Sequence, residues 1–115
     1  MDMTTYTSET ISNLTNRDLD RAVDELWPDL KGKAHDGRHF QLPLWSTYLP
    51  YLPLFFEPGG PLRTIRVHRY ILSQKHNGEW EVYYRETLGE WRIASGSTVM
   101  EAVCRAACIV RLEKS

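Results

Sequence analysis

Residues 70–84 read YILSQKHNGEWEVYY, and this stretch decides the fold. Asn77-Gly78 lies between two segments that are rich in β-branched and aromatic residues. Asn-Gly is the strongest short-range signal for a β-hairpin, because both residues tolerate a positive φ angle. A two-residue turn at this point would place Ile71 opposite Tyr84. The stretch therefore predicts two antiparallel strands joined by a tight turn.

The predicted register assigns the side chains of these strands to two faces, because side chains alternate along a strand. The core face would collect mostly apolar residues: Ile65, Val67, Ile71, Trp80, Val82 and Tyr84. The outer face would be polar and aromatic, and would carry Arg66, His68, Tyr70, Leu72, Glu81, Tyr83 and Arg85. A turn at residues 88–90 leads to a short third strand over residues 91–95. The pattern predicts a meander of three strands and leaves room for a fourth.

A helix is predicted before the meander. Thr15 and Asp18 have the spacing of a capping box. In a capping box the Thr15 side chain would accept a hydrogen bond from the Asp18 N–H, and the Asp18 carboxylate would accept one from the Thr15 N–H. Apolar residues then recur at helical spacing and define one buried stripe: Leu19, Ala22, Val23, Leu26 and Trp27. Pro28 should end this helix near Trp27, because proline disfavours helical geometry in the residue before it.

A second helix is predicted after the meander. Thr98 and Glu101 repeat the spacing of a capping box. The apolar stripe of this helix consists of small side chains: Val99, Ala102, Val103, Ala106 and Val110. The order of elements predicts a single α+β domain over residues 14–115, preceded by a loosely ordered lead-in over residues 1–13.

Prolines and aromatic residues are concentrated between the first helix and the meander. Five of the six prolines lie between positions 43 and 61, and repeated prolines block both a regular helix and a central strand. A flexible linker would be polar, whereas this segment is apolar. We predict an irregular covering over the core, an apolar surface that awaits a partner, or both. The candidate partner-binding residues are its aromatic side chains: Trp45, Tyr48, Tyr51, Phe55 and Phe56.

The composition restricts the class of protein. The chain has 115 residues, a formal net charge of −1 and two cysteines. The near-neutral charge argues against a polyanion binder that works by bulk charge. Two cysteines cannot form a disulfide framework, so a reduced, cytoplasmic setting is expected. The sequence contains no apolar run near the roughly 20 residues that span a bilayer, and its polar N-terminus does not match a signal peptide.

The two ends of the chain resemble a family of small phage and prophage proteins, the phage ABA sandwich domain. Residues 13–23 are similar to the opening helix of that family, and residues 91–107 to its closing strand and helix. The run TVMEAVCRAA at residues 98–107 is the more specific part. The resemblance implies a phage accessory protein in the cytoplasm of a bacterial host, with helices packed on an antiparallel sheet. Proteins of this origin often act against host defences, so the resemblance also makes the chain an anti-CRISPR candidate.

Reactive side chains raise one further hypothesis. Cys104 and Cys108 are spaced to share a helix face, and His35 and His39 have the same spacing, so the four could form a Cys₂His₂ zinc set. The alternative is that the cysteines act as small apolar residues of a helix buried on two sides. The sequence has no nucleophile elbow and no phosphate-binding glycine loop. We expect no catalytic residue, cofactor or bound metal, and therefore no enzyme.

Protein binding is the predicted function, with the chain acting as a stoichiometric inhibitor of a host antiviral component or pairing with a second copy of itself. A second candidate patch is acidic: Asp20, Asp24 and Glu25. The alternative function is nucleic-acid binding, because tyrosines flanked by basic residues can stack bases and hold phosphates. The residues for that alternative lie on the predicted outer sheet face: Arg66, His68, Tyr70, Tyr83 and Arg85.

Overall fold

The computed structural model describes residues 6–33, 42–57, 60–63 and 69–114. Their α-helices and strands are α1 (Ser8–Ser12), α2 (Asn16–Leu26), α3 (Leu52–Phe56), β1 (Arg69–Gln74), β2 (Trp80–Glu86), β3 (Gly89–Gly96) and α4 (Val99–Lys114). Two 3₁₀ helices span Pro28–Lys33 and Leu49–Tyr51. Over these ranges, no helix combines the length and the apolar composition needed to cross a membrane.

The three strands form an antiparallel meander in the order β1-β2-β3. Helix α4 contacts β3 and β2, and α1, α2 and α3 contact α4. Every residue from Ala106 to Val110 is buried, so α4 is covered on more than one side. The predicted α+β architecture, with a helix on each side of the meander in the sequence, is confirmed.

The register of the β1–β2 hairpin differs from the prediction by one residue. The Lys75 N–H donates to the Glu79 carbonyl at 2.7 Å, and the Gly78 N–H donates to the Lys75 carbonyl at 3.0 Å. Gly78 has a φ of 93°, so the loop has three residues and ends in a glycine bulge. As a result Tyr84 lies opposite Tyr70 instead of Ile71.

This shift exchanges the two faces of β1, because a one-residue slip turns every side chain over. Leu72 now lies opposite Val82 on the face that packs against α4. Tyr70 lies on that same face, where the prediction had placed Ile71. The members of the two faces that were predicted before β1, Ile65 to His68, lie outside the described residues.

The N-terminal segment is more ordered than the predicted lead-in. Residues Ser8–Ser12 form α1, which begins with a reciprocal cap: Thr10 N–H donates to Thr7 Oγ1 at 3.1 Å, and Thr7 N–H donates to Thr10 Oγ1 at 2.8 Å. Ile11 is fully buried in the core. The cap and the burial of Ile11 help to fix a segment whose composition is mostly polar, and Tyr6 also packs against the core.

The helix boundaries agree with the prediction better than the caps do. Helix α2 ends at Leu26, with Trp27 as its C-cap and Pro28 next. The Thr15 side chain makes no capping hydrogen bond, so the first predicted capping box is wrong. At α4, the Glu101 N–H donates to Thr98 Oγ1 at 3.1 Å, but the Glu101 carboxylate accepts from the Ser97 N–H, one residue earlier than a standard box requires.

Candidate functional site

Three of the five predicted partner-binding side chains lie in the core. Trp45 and Phe55 are fully buried, and Tyr51 is 8% exposed. Phe56 is half-buried against the same core, and Tyr48 is 48% exposed. The prediction that all five offer a surface is therefore wrong, and the covering interpretation holds for most of the segment.

The aromatic rings form a continuous contact from the core to the surface. The ring centroids of Trp45 and Phe55 are 5.9 Å apart in an edge-to-face contact, and those of Trp45 and Tyr51 are 4.8 Å apart. Tyr48 packs edge-on against Tyr51 at 4.9 Å. The exposed ring of Tyr48 therefore rests on buried rings that hold it in place.

The backbone beneath this ring is fixed to α2 and α4. Asp20 Oδ1 accepts a hydrogen bond from the Ser46 N–H at 2.6 Å, and Ser46 Oγ donates to the Asn16 carbonyl at 3.1 Å. The Cys104 thiol donates to the Trp45 carbonyl at 3.1 Å. In a regular helix or strand, backbone hydrogen bonds fix the conformation of the chain. Here hydrogen bonds from side chains to the loop backbone take that role, so the segment keeps one conformation.

Leu44, Tyr48 and Leu49 form one exposed apolar patch, called here the Leu44 patch. Their side chains are 49%, 48% and 55% exposed. Leu44 and Tyr48 lie on the same side of one turn, because the Tyr48 N–H donates to the Leu44 carbonyl at 3.0 Å. A pocket of about 300 Å³ adjoins the patch and is lined by Ser46, Thr47, Leu49, Thr98, Val99 and Met100.

The sequence prediction named aromatic residues only and so missed the two leucines. The signal that could have found them is the position of Trp45. Once Trp45 points inward, helical spacing places residues 44 and 48 together on the outer side of the turn. Leu49 begins the 3₁₀ helix Leu49–Tyr51, with Pro50 in its first turn, and lies beside Tyr48 at the surface.

The predicted acidic patch is not a continuous surface. Asp20 is fully buried, and its Oδ2 accepts a hydrogen bond from Arg17 Nη1 at 2.8 Å. Asp24 is half-buried, and Glu25 Oε1 accepts a hydrogen bond from the Tyr6 hydroxyl at 2.7 Å. The prediction placed all three carboxylates at the surface. A carboxylate can be buried when a backbone N–H donates a hydrogen bond to it, as the Ser46 N–H does to Asp20.

The predicted nucleic-acid face is divided by the observed register. Tyr70 lies on the α4 side of the sheet and Tyr83 on the other side, so the two rings cannot stack on one strand of nucleic acid. Arg85 donates two hydrogen bonds to Glu90 Oε2, at 2.9 and 2.7 Å, which neutralises its charge. Arg66 and His68 lie outside the described residues.

Tyr83 instead belongs to a charge network on the outer sheet face. Its hydroxyl donates to Glu81 Oε1 at 2.9 Å, and Arg92 Nη1 donates to Glu81 Oε2 at 3.3 Å. The hydrogen bond from Tyr83, together with Arg92, holds the pKa of the Glu81 carboxyl below its usual value. The same hydrogen bond raises the pKa of Tyr83. Within this network, the Glu81 carboxylate is paired with both Tyr83 and Arg92.

The two cysteines behave as buried apolar residues. Both are fully buried, and burial raises the pKa of Cys104 well above its usual value and that of Cys108 to about 12. A metal ligand must be a thiolate, which this environment disfavours. His35 and His39 lie outside the described residues, and within those residues no three His, Cys, Asp or Glu side chains are grouped to hold an ion.

The chemistry that the Leu44 patch can perform is apolar contact. Around the pocket, the Ser46 hydroxyl is bonded to Asn16, and the Thr98 hydroxyl accepts from the Glu101 N–H. These polar groups serve the fold and are not directed at a ligand. No family model, curated protein or solved structure matches the chain.

Proposed function

We propose that the protein acts by binding another protein through the Leu44 patch and its adjoining pocket. The observation that carries the proposal is the exposure of Leu44, Tyr48 and Leu49, each of which is about half exposed. The backbone beside them is fixed by hydrogen bonds to the buried side chains of Asp20 and Cys104. Aromatic and aliphatic anchors of this kind dominate the binding energy of interfaces.

The anchoring of the segment supports a binding role. A flexible loop loses conformational entropy when it is ordered by a partner, whereas a fixed loop loses little. The Ser46 N–H, held by Asp20, and the Trp45 carbonyl, held by Cys104, immobilise the backbone next to Tyr48. A pocket of about 300 Å³ beside this ring has room for one large side chain of a partner.

The resemblance of the two chain ends to the phage ABA sandwich domain supports a host protein as the partner. In that interpretation the chain is a stoichiometric inhibitor that blocks an antiviral component by covering its working surface. Such a mechanism needs a rigid apolar patch and no catalytic group. The Leu44 patch provides the apolar surface that the mechanism requires.

A capture experiment from bacterial lysate tests the proposal. The bound proteins are identified by mass spectrometry for the unchanged chain and for two variants, Leu49→Glu in the patch and Leu88→Glu as the control. Leu88 is 89% exposed on the β2–β3 turn, so its replacement adds the same charge elsewhere. We expect a specific partner that is lost with Leu49→Glu and kept with Leu88→Glu.

Two results would contradict the proposal. One is a captured protein that Leu49→Glu retains as well as the unchanged chain does, provided that circular dichroism shows both to be folded. The other is strong binding to single-stranded DNA or RNA that falls steeply with salt and disappears with Arg85→Ala. The second result would favour the nucleic-acid alternative.

A further inference from the structure

Strand β3 lies at an edge of the sheet. Within the described residues it pairs with β2 on one side and with no strand on the other. An edge strand presents main-chain N–H and C=O groups that can pair with a strand of another chain. The edge of β3 is therefore a potential interface.

The open part of this edge is short. The pairing of β3 with β2 skips Ile93, which makes a β-bulge at that point. Beyond the bulge, the Ser95 carbonyl already accepts a hydrogen bond from Arg105 Nη1 at 2.9 Å. The regular, open edge is therefore the segment of residues 89–92.

The hydrogen-bond pattern of the sheet shows which main-chain groups face the open edge. In an antiparallel sheet, alternate residues of a strand direct both of their groups to the same neighbour. The Glu79 carbonyl accepts a hydrogen bond from β1 across the hairpin loop, so every second residue after it also faces β1. Tyr84 falls between these residues and directs its groups to its partner on β3, Trp91. The residues on either side of Trp91, Glu90 and Arg92, therefore direct their groups to the open edge.

Glu90 and Arg92 carry opposite charges on the outer face of the sheet, where their side chains are 43% and 58% exposed. Both hydrogen bonds from Arg85 end on Glu90 Oε2, so Oε1 can accept from a further donor. Among the described residues, Arg92 donates one hydrogen bond, from Nη1 to Glu81 at 3.3 Å. Its guanidinium has five N–H groups, so it can donate to a further carboxylate.

Trp91 lies between these two residues and faces the α4 side of the sheet. Its ring stacks on Tyr84 with the centroids 6.3 Å apart, and its side chain is 48% exposed. Helix α4 therefore leaves this part of β3 open. A ring of this size beside an open edge offers apolar area to the side chain opposite it on a neighbouring strand.

A second copy of β3 complements this edge. In a two-fold dimer with antiparallel strands, residue i of one copy meets residue j of the other, and j meets i. If the axis passes at Trp91, Glu90 of each copy lies opposite Arg92 of the other. The main-chain groups of each such pair then face each other and can exchange both hydrogen bonds. On the α4 side the two Trp91 rings become cross-strand neighbours.

The other registers of this pairing are disfavoured. An axis at Glu90 would place two carboxylates opposite each other, and an axis at Arg92 would do the same with two guanidiniums. An axis midway between two residues would set the outer face of one copy against the α4 face of the other, because side chains alternate. Charged side chains usually protect an edge strand from association. In the order Glu-Trp-Arg, however, they are complementary in one register.

We infer that the protein forms a two-fold dimer through residues 89–92 of β3, which joins two three-stranded sheets into one continuous sheet. Because so few residues pair, the interface is small and the Kd should be on the order of 100 µM. The inference does not rest on the proposed function, since the Leu44 patch belongs to a different segment of the chain. Either interface can fail its test while the other passes.

Analytical ultracentrifugation of the purified chain tests the dimer. Between about 10 µM and about 1 mM, the unchanged chain should shift from monomer to dimer. The variants Glu90→Arg and Arg92→Glu each place like charges opposite one another at both pairs. Each should raise the Kd about tenfold or more.

A mixture of the two variants tests the register. When a Glu90→Arg chain meets an Arg92→Glu chain, both pairs again have opposite charges. We expect the equimolar mixture to associate with a Kd within about threefold of that of the unchanged chain. Each variant also loses a contact within its own chain, to Arg85 or to Glu81, and the mixture does not restore that contact. Recovery in the mixture would therefore come from the pairing between chains.

The control applies the same charge reversals outside β3. Glu57 and Arg63 are exposed, so Glu57→Arg and Arg63→Glu change the net charge equally without touching the edge. Each control should dimerise as the unchanged chain does. Circular dichroism confirms that all four variants are folded.

Four results would overturn the inference. The unchanged chain could remain a monomer at about 1 mM. Both β3 variants could dimerise as well as the unchanged chain, or their mixture could associate no better than either variant alone. Oligomers that keep growing with concentration would indicate open-ended pairing between unlike edges instead of a closed dimer.

Discussion

The buried carboxylate of Asp20 joins α2 to the backbone of the proline-rich segment through a 2.6 Å hydrogen bond from the Ser46 N–H. Its second oxygen accepts from Arg17 at 2.8 Å, and the Arg17 guanidinium also donates to the Leu42 carbonyl at 2.8 Å. One fully buried charge thus holds a segment that lacks regular secondary structure for much of its length. The position of the Leu44 patch depends on this contact.

Replacing Asp20 by alanine should destabilise the fold by about 3 kcal/mol, because the buried Ser46 N–H would lose its acceptor and Arg17 would lose its carboxylate partner. Urea unfolding measures the change. Asp18→Ala is the matched control, since Asp18 is 73% exposed and pairs with Arg21 at 3.7 Å. The control should change the free energy of unfolding by less than about 0.5 kcal/mol. Equal effects of the two substitutions would refute the structural role of Asp20.

Asp20 also shows what local sequence patterns can and cannot predict. The helical spacing of Leu19 and Val23 located α2 correctly, because burial of one stripe is a local property, and Pro28 placed the end of the helix to within one residue. The partner of Asp20 lies 26 residues away in a segment without regular periodicity. Since no spacing rule connects the two, the carboxylate was assigned to the solvent face.

Gly96 should not tolerate a side chain, whereas Gly89 should. A Cβ at Gly96 would lie 2.7 Å from the Ala102 nitrogen, where β3 meets α4, and backbone atoms there cannot move aside. We expect Gly96→Ala to cost about 2 kcal/mol or more in unfolding free energy. At Gly89 a Cβ would meet only the Trp91 ring at 3.6 Å, so Gly89→Ala should change it by less than about 0.5 kcal/mol. Thermal unfolding of the two variants compares them, and a larger loss for Gly89→Ala would contradict the packing.

The hairpin was predicted in the right place but with the wrong register. Asn77-Gly78 identified the turn, yet the same dipeptide fits a two-residue loop and a three-residue loop that ends in a glycine bulge. The choice between them decides which face of β1 meets α4. Packing selects the three-residue loop here. With that loop, Leu72 and Tyr70 lie on the face that packs against the core, and Gly78 adopts a φ of 93°. The candidate nucleic-acid face depended on this choice, and the observed register places Tyr70 on the other side of the sheet from Tyr83 and Arg85.

The two thiols should resist modification in the folded protein. Burial raises the pKa of Cys104 and Cys108, and the Cys104 thiol also donates to the Trp45 carbonyl, so little reactive thiolate is present near neutral pH. We expect a thiol reagent such as iodoacetamide to label both residues slowly in buffer and rapidly in concentrated guanidinium chloride, with mass spectrometry as the readout. Rapid labelling of Cys104 in the folded state would show that the contact between α4 and the segment opens readily.

The pair Tyr6 and Glu25 predicts a loss of stability at high pH. Burial, followed by the hydrogen bond to Glu25 and its charge, raises the pKa of Tyr6 from 10.0 to about 12. The fold therefore favours the neutral phenol. Its contribution to stability is complete below pH 10 and is lost as the pH rises through about 12.

The substitution Glu25→Gln separates the causes of this shift. It should lower the pKa of Tyr6 towards 10, but not to that value, because burial is the largest cause and remains. The ¹³Cζ resonance of Tyr6, followed from neutral to alkaline pH, measures the change. Glu9→Gln, which removes an exposed charge from α1, should leave the titration where it was. An unchanged pKa in Glu25→Gln would show that the 2.7 Å bond between Tyr6 and Glu25 does not hold the N-terminal segment against α2 in solution.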